Sequence, residues 1–194
     1  DYDLKYKGKT VAGVDEAGRG PLAGPVVCAC AVMPLEADKI IEGINDSKKL
    51  TEKKREELYD KIISRALSYS IVAIDEKIID NINILNATKL GMKKAVEDLK
   101  IKPDIVLTDA VKIDITLPQE NIIKGDAKSY NIAAASILAK VYRDRLMKTL
   151  SQKYPNYNFA KHKGYGTKEH IENIRKYGKC EIHRDTFIKK IINQ

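Results

Sequence analysis

The segment PVVCACAVM (25–33) restricts this chain more than any other. It carries no charge and offers no polar side for water, so it reads as a strand buried on both faces. TVAGVD (10–15) is a second run of the same near-continuous apolar character. The intervening GRGPLAG suits a tight link and hence an antiparallel pair. Further strands are expected at YSIVAID (69–75), IVLTD (105–109) and NIIKGD (121–126). Helices are expected at 51–67, 79–99 and 129–152, with another opened by HKGYGTKEH (162–170). Thr51 suits the N-cap of the first helix, and Leu58, Ile62 and Ile63 share one of its faces. Strands first, then strands mixed with helices, predict an α/β fold with a mixed sheet. The length of 194 residues fits one main domain over 1–150, with a helical extension over 151–194.

The chain carries 35 basic and 27 acidic residues, a formal charge of +8. That excess suits a polyanionic partner such as nucleic acid. The longest apolar run, VVCACAVM (26–33), falls far short of the roughly 20 residues needed to span a bilayer. The charged start, DYDLKYKGKT, has no signal-peptide core. Cys28, Cys30 and Cys180 show neither a disulfide framework nor zinc-site spacing. They read as core residues of a reduced, cytoplasmic protein.

Three predicted strands end in acid: Asp15-Glu16, Asp109 and Asp126. Ligands of open α/β sheets gather at the carboxyl ends of strands. Carboxylates converging there repel and raise one another's pKa unless a cation sits among them. An all-oxygen set points to a hard ion, Mg²⁺ or Mn²⁺, rather than zinc. Two such ions about 4 Å apart suit phosphodiester hydrolysis. Each acid also has a plainer reading. Asp126 suits an N-cap for the helix beginning near Lys128, and Asp109 a turn. Asp15 and Glu16 point to opposite faces of a regular strand, so reaching one site requires the strand to end or bend there. Beside them, Gly18-Arg19-Gly20 exposes backbone N–H groups able to cradle an anion, and Arg19 suits a phosphate. A tight hairpin with an incidental arginine is the plain alternative.

DEAGRGPLAGP (15–25) closely resembles the signature of ribonuclease HII, the prokaryotic type 2 ribonuclease H. NDSKKLT (45–51), VLTDA (106–110), KGDAKSYNIAAASILAKVYRDRLM (124–147), HKGYGT (162–167) and HRDTF (183–187) continue the resemblance in order. It implies a ribonuclease H-like mixed sheet flanked by helices, with the extension completing a substrate groove. It also implies a monomeric enzyme that cuts the RNA strand of RNA–DNA hybrids. Incision 5′ of single ribonucleotides embedded in duplex DNA follows too, leaving 3′-hydroxyl and 5′-phosphate ends, as in ribonucleotide excision repair. The implied metal ligands are Asp15, Glu16, Asp109 and Asp126. Gly18, Arg19 and Gly20 match the loop that senses the 2′-hydroxyl, and Tyr165 the ring that stacks under the next, deoxy, sugar. A 2′-hydroxyl both donates and accepts hydrogen bonds, and it is the group that separates RNA from DNA. Phosphate contacts carry no such information.

Ser47, Lys48 and Thr51 look like phosphate contacts of that family, although a solvated loop with an N-cap reads equally well. Ser136 suits either DNA contact or close helix packing. Lys124, Lys128, Lys161 and Lys163 flank the motifs and suit either the backbone or solvent. Asp144 and the pair His183-Arg184 read as structural, and His162, His170 and His183 lack ligand spacing. The resemblance departs at Ala110, where glycine is expected after the acid, which puts the local backbone in question. Ribonuclease HIII is the nearest rival, disfavoured by the Gly-Arg-Gly loop and by a signature that begins at residue 15. A catalytically silent binding module is disfavoured by the four acids. A small-molecule phosphatase is disfavoured by the basic excess and the lack of a Walker-type loop.

Overall fold

The computed structural model describes residues 2–193. Strands β1 (Val11–Ala17) and β2 (Val26–Val32) form the expected antiparallel pair, with Gly13 opposite Ala31 and Glu16 opposite Cys28. Helix α1 (Glu52–Arg65) leads to β3 (Ser68–Ile74), antiparallel to β2. Helices α2 (Glu76–Ile82) and α3 (Ile84–Glu97) precede β4 (Ile105–Asp109), which lies parallel to β1. β5 (Gln119–Ile122) runs parallel to β4, giving a mixed sheet in the order β3-β2-β1-β4-β5. Helices α4 (Gly125–Lys128) and α5 (Tyr130–Lys153) follow. The chain ends in α6 (Phe159–His162), α7 (Lys168–Tyr177) and α8 (Asp185–Ile192).

Every residue of β2 is buried because both faces of the sheet are covered. Val27, Ala29 and Ala31 pack with α1 and α5, through Leu58, Ile62, Ala134, Ala135 and Leu138. Cys28, Cys30 and Val32 face the other way, against Met92, Ala95 and Val96 of α3. The alternation of a strand is present, but both halves are apolar, which is why the segment shows no polar side. Complete burial of one such valine contributes about 1.5 kcal/mol or more. α5 lies directly on β1: a Cβ at Gly13 would stand 2.1 Å from the carbonyl carbon of Asn131. Only glycine permits that approach.

The N-cap read at Thr51 holds, as it accepts from Lys54 N–H, whereas α5 is capped by Ser129, which accepts from Ile132 N–H, and not by Asp126. The single helix expected over 79–99 is two. Asn83 adopts φ 68°, breaks the run, and caps α3 by accepting from Asn86 N–H. Asparagine tolerates that conformation and caps well, so the break costs little. The strand expected over 121–126 ends at Ile122, and Lys124 turns left-handed at φ 57° to start α4. Asp126 therefore sits in a helical turn, neither on a strand nor at the cap of the long helix, which is Ser129. In the extension, Tyr157, Phe159, Ile174, Ile182 and Ile188 build a small core shared with Ala23 and Met147 of the main body.

Candidate active site

β1 and β4 run parallel with Val14 beside Thr108, so Asp15 and Asp109 come next in line at neighbouring strand ends. β1 does not bend at its acids; it stays in register through Ala17. Asp15 continues the side that faces α5, and Glu16 the side of Ala12 and Val14. The pair straddles the edge of the sheet. Asp15 accepts from Glu16 N–H at 2.8 Å, while Glu16 reaches toward Arg19 at 3.6 Å. Asp109 accepts from Gly125 N–H at 2.9 Å, which draws α4 and Asp126 to the same edge.

Asp15 and Asp126 are both buried. Burial, then the charges of Glu16 and Asp109, push the Asp15 carboxyl well above the ordinary range. Burial, then Asp46 and Asp109, raise Asp126. Asp46, a fifth acid, was not singled out from the sequence, where it reads as a turn former. It does cap the 3-10 turn Ser47–Lys49, accepting from Lys48 N–H at 2.9 Å. Glu16 Oε2 is buried with no hydrogen-bond partner. Burial first, then Glu16 and Asp15, push the nearby Cys28 thiol up, so it offers no thiolate. As they stand, no three acidic, imidazole or thiol groups among the described residues form a closed metal cage. Repelling carboxylates, an orphaned buried oxygen and no soft donor nevertheless fit a hard divalent cation.

The Gly18–Gly20 loop leads away from this edge, with Gly18 buried and Arg19 and Gly20 exposed. Leu22 N–H donates to Gly164 O at 2.8 Å, tying the loop to the segment that carries Tyr165. A Cβ at Gly20 would stand 4.0 Å from the Tyr165 ring, so the two features are neighbours. The ring is 40% exposed, open to a ligand, and lies 5.8 Å from the Arg143 guanidinium.

The remaining expected contacts divide. Ser47 and Ser136 are buried and hydrogen-bonded to each other at 2.7 Å. Lys48 and Thr51 are exposed, and Arg55 holds their loop through Ser47 O and Leu50 O. Lys124 and Lys128 are exposed beside Asp126, whereas Lys161 pairs with Glu169 at 3.1 Å and the half-buried Lys163 bonds Ala160 O. Asp144 pairs with Lys140 at 2.8 Å rather than with its flanking arginines.

Three histidines distant in sequence come together. Cys180 N–H donates to His183 Nδ1, which leaves the His183 proton on Nε2 to donate to His170 Nε2 at 3.0 Å. The His170 proton then lies on Nδ1 and donates to Tyr165 O at 2.8 Å. His162 stacks on His170 with centroids 4.4 Å apart. Burial lowers His170 and His183 to about 4, so both are neutral near pH 7. His170 thus positions the backbone of Tyr165, a role its spacing did not announce.

The family model for ribonuclease HII matches residues 12–190. A ribonuclease HII of Caldicellulosiruptor bescii is 61% identical over 184 residues, covering 94% of this chain and 88% of that protein. Among solved structures, ribonuclease H2 from Pyrococcus horikoshii OT3 superposes with a TM-score of 0.79 at 32% identity, over 95% of this chain and 97% of that one. Bst-RNase HIII in complex with Mn²⁺ shares the fold, with a TM-score of 0.71 at 20% identity over 95% of this chain and 70% of that one.

Proposed function

The chain belongs to the ribonuclease HII family and is a metal-dependent endoribonuclease acting on RNA–DNA hybrids, and we propose that Asp15, Glu16, Asp109 and Asp126 hold its metal. The observation that carries this assignment is the convergence of buried, mutually repelling carboxylates at one sheet edge beside an unpartnered Glu16 oxygen. Two Mg²⁺ or Mn²⁺ ions bound there would supply Lewis acidity and a water of lowered pKa for in-line attack on the phosphodiester. The protein's part is positional. β1 and β4 set Asp15 beside Asp109, and the Asp109 bond to Gly125 N–H fixes α4 with Asp126 near Asp109.

Gly18, Arg19 and Gly20 read the 2′-hydroxyl, and Tyr165 lies against the following deoxy sugar, where an added hydroxyl would clash. Incision accordingly falls 5′ of a single ribonucleotide in duplex DNA, the first step of ribonucleotide excision. Lys48, Thr51, Lys124 and Lys128 meet phosphates in this reading, which their exposure supports. Ser47 and Ser136 brace that surface from beneath through their mutual hydrogen bond, and with Ser136 as the donor Ser47 keeps its own proton for a phosphate. Residues 151–194 form the far wall of the groove by presenting Tyr165. The enzyme acts as a monomer in the cytoplasm, where its duplex substrate lies. Among the described residues no helix is long and apolar enough to cross a membrane.

The test is cleavage of a labelled DNA duplex carrying one ribonucleotide, with Mg²⁺ or Mn²⁺, beside a hybrid with a continuous RNA run. One cut 5′ of the lone ribonucleotide is expected. Cleavage of the run alone would remove the junction-reading role while leaving the metal assignment. Binding without cleavage under either ion would defeat both.

A further inference from the structure

Arg184 lies at the start of α8, is 0% exposed, and has no carboxylate within ion-pair distance among the described residues. Its Nη2 donates to Gly18 O at 2.6 Å, its Nη1 to Arg19 O at 2.8 Å and its Nε to Gly24 O at 2.9 Å. All three guanidinium nitrogens thus donate to carbonyls of the link between β1 and β2, two of them within Gly18-Arg19-Gly20. Arg143, from α5, completes the arrangement by donating to Ala23 O, Pro25 O and Lys163 O. Its side chain fills the space beside Gly18, where φ is +92° and a Cβ would stand 2.1 Å from Arg143 Nε. Backbone bonds seat Arg184 as well: its N–H donates to Leu22 O, and Gly24 N–H donates to Ile182 O.

A buried guanidinium with no acid partner is an expensive way to pack a loop, and an apolar side chain of similar volume often serves stability as well. Burial lowers Arg184 to about 9, so it still carries its charge near pH 7. What the fork accomplishes follows from peptide geometry. In a planar trans peptide, a C=O and the next residue's N–H point in opposite directions. Carbonyls of Gly18 and Arg19 held inward on Arg184 therefore turn the N–H groups of Arg19 and Gly20 outward. Those two residues are exposed, and neither N–H donates to another described residue. Two unspent donors are thus left on the loop that neighbours the Tyr165 ring.

We propose that Arg184 is a positioning residue for sugar discrimination: by holding the carbonyls of Gly18 and Arg19 it aims the N–H groups of Arg19 and Gly20 at the ribose 2′-hydroxyl. The inference rests on the junction-reading role given above to Gly18–Gly20 and Tyr165. Discrimination in this enzyme then depends on a C-terminal arginine that touches no substrate, because a loop free to turn its peptides over would meet ribose and deoxyribose alike.

The experiment compares kcat/KM on a duplex with one ribonucleotide, on the same duplex with a deoxyribonucleotide in its place, and on a hybrid with a continuous RNA run, for the wild type, Arg184→Lys and Tyr165→Ala. Lysine keeps the charge but not the fork. The ribo-to-deoxy ratio is expected to fall about tenfold or more in Arg184→Lys, through loss of oriented hydrogen bonds to the distinguishing hydroxyl. A folded Arg184→Lys enzyme with an unchanged ribo-to-deoxy ratio, beside a Tyr165→Ala enzyme whose single-to-run ratio collapses, would overturn the role of Arg184 alone. Unchanged ratios in both variants would overturn the junction reading itself. If Arg184→Lys does not fold, the full chain is assembled by ligation at Cys180 with citrulline in place of Arg184. This isostere is neutral and replaces one donor group by oxygen. A fallen ribo-to-deoxy ratio there supports the proposal, and an unchanged one overturns it.

Discussion

The sheet edge that carries Asp15, Asp109 and Asp126 and the loop that carries Gly18–Gly20 lie side by side, yet their electrostatics are opposite. At the edge, like charges are gathered and only partly offset by Arg19 and Lys48: burial and mutual repulsion raise Asp15 and Asp126, and one Glu16 oxygen has no partner. In the loop, polar groups are compensated from within, as two buried arginines hold six carbonyls, at residues 18, 19, 23, 24, 25 and 163. In the function proposed above, the edge is completed by cations from solution. The loop is complete before any ligand arrives, and only its outward N–H groups remain to be used. A site that must bind and release ions keeps its charges unsatisfied, whereas one that must distinguish two sugars keeps its backbone rigid.

The contrast is broken most sharply at Asp109. Asp109→Asn removes a ligand charge but keeps an oxygen for Gly125 N–H. Turnover is expected to fall by about a thousandfold or more, given what metal-assisted hydrolysis supplies. Duplex affinity measured without divalent ions should stay close to wild type. In the wild type, Mn²⁺ should raise the melting temperature by mass action, and Asp109→Asn should lose most of that rise. Loss of affinity matching the loss of turnover would show that the acid edge also builds the groove.

The compensated region has its own weak point, the neutral histidines. His170 and His183 are lowered from 6.5 to about 4 by burial, so the folded state binds protons less readily than the unfolded chain. His162, also lowered, is the other imidazole facing them, and Asp185 is the acid that slightly favours the charged form of His183. A lowered folded pKa gives stability that is fully present above 6.5 and lost as pH falls toward 4. Unfolding free energy should drop by roughly 3 kcal/mol across that window for each of the two imidazoles. Denaturant titrations of the wild type and His170→Gln check it: a smaller pH slope is expected in the variant, and an unchanged slope would place the sensitivity elsewhere.

Binding should respond to salt through the exposed lysines rather than through either buried region. Affinity for duplex is expected to fall at least about tenfold between 50 and 200 mM salt, as counterion release requires. A flat response would remove the basic surface from the account. The smallest effect is expected at Ala110, which holds φ +56° directly after Asp109. Ala110→Gly relieves a strain of about 1–2 kcal/mol. Glycine's freer unfolded state offsets part of that gain, leaving roughly 0.5 kcal/mol of net stabilisation by thermal melting. Destabilisation instead would mean that the edge is not strained there.

Much of this architecture is local and therefore visible in the chain. Continuous apolar runs mark β1 and β2, Thr51 marks a helix start, and the family signature points to the acids, the glycine loop and Tyr165. Ala110 stood out as a departure, and its left-handed backbone explains why glycine is the natural occupant. Other features depended on competition between local options. Asn83 broke a periodic helix because its side chain could cap the next one, and Lys124 ended a strand early enough to put Asp126 on a turn of helix. Long-range partnerships left no mark at all. His170 and His183 find each other across 13 residues, and Arg184 reaches Gly18 across 166. Period, caps and motifs are properties of neighbouring residues, so the sequence by itself determined β1 and β2, the start of α1 and the set of acids. Backbone carbonyls are alike in every residue, so nothing in the sequence marks which of them a buried arginine will hold. Only the packing of the C-terminal segment against the first loop decided that.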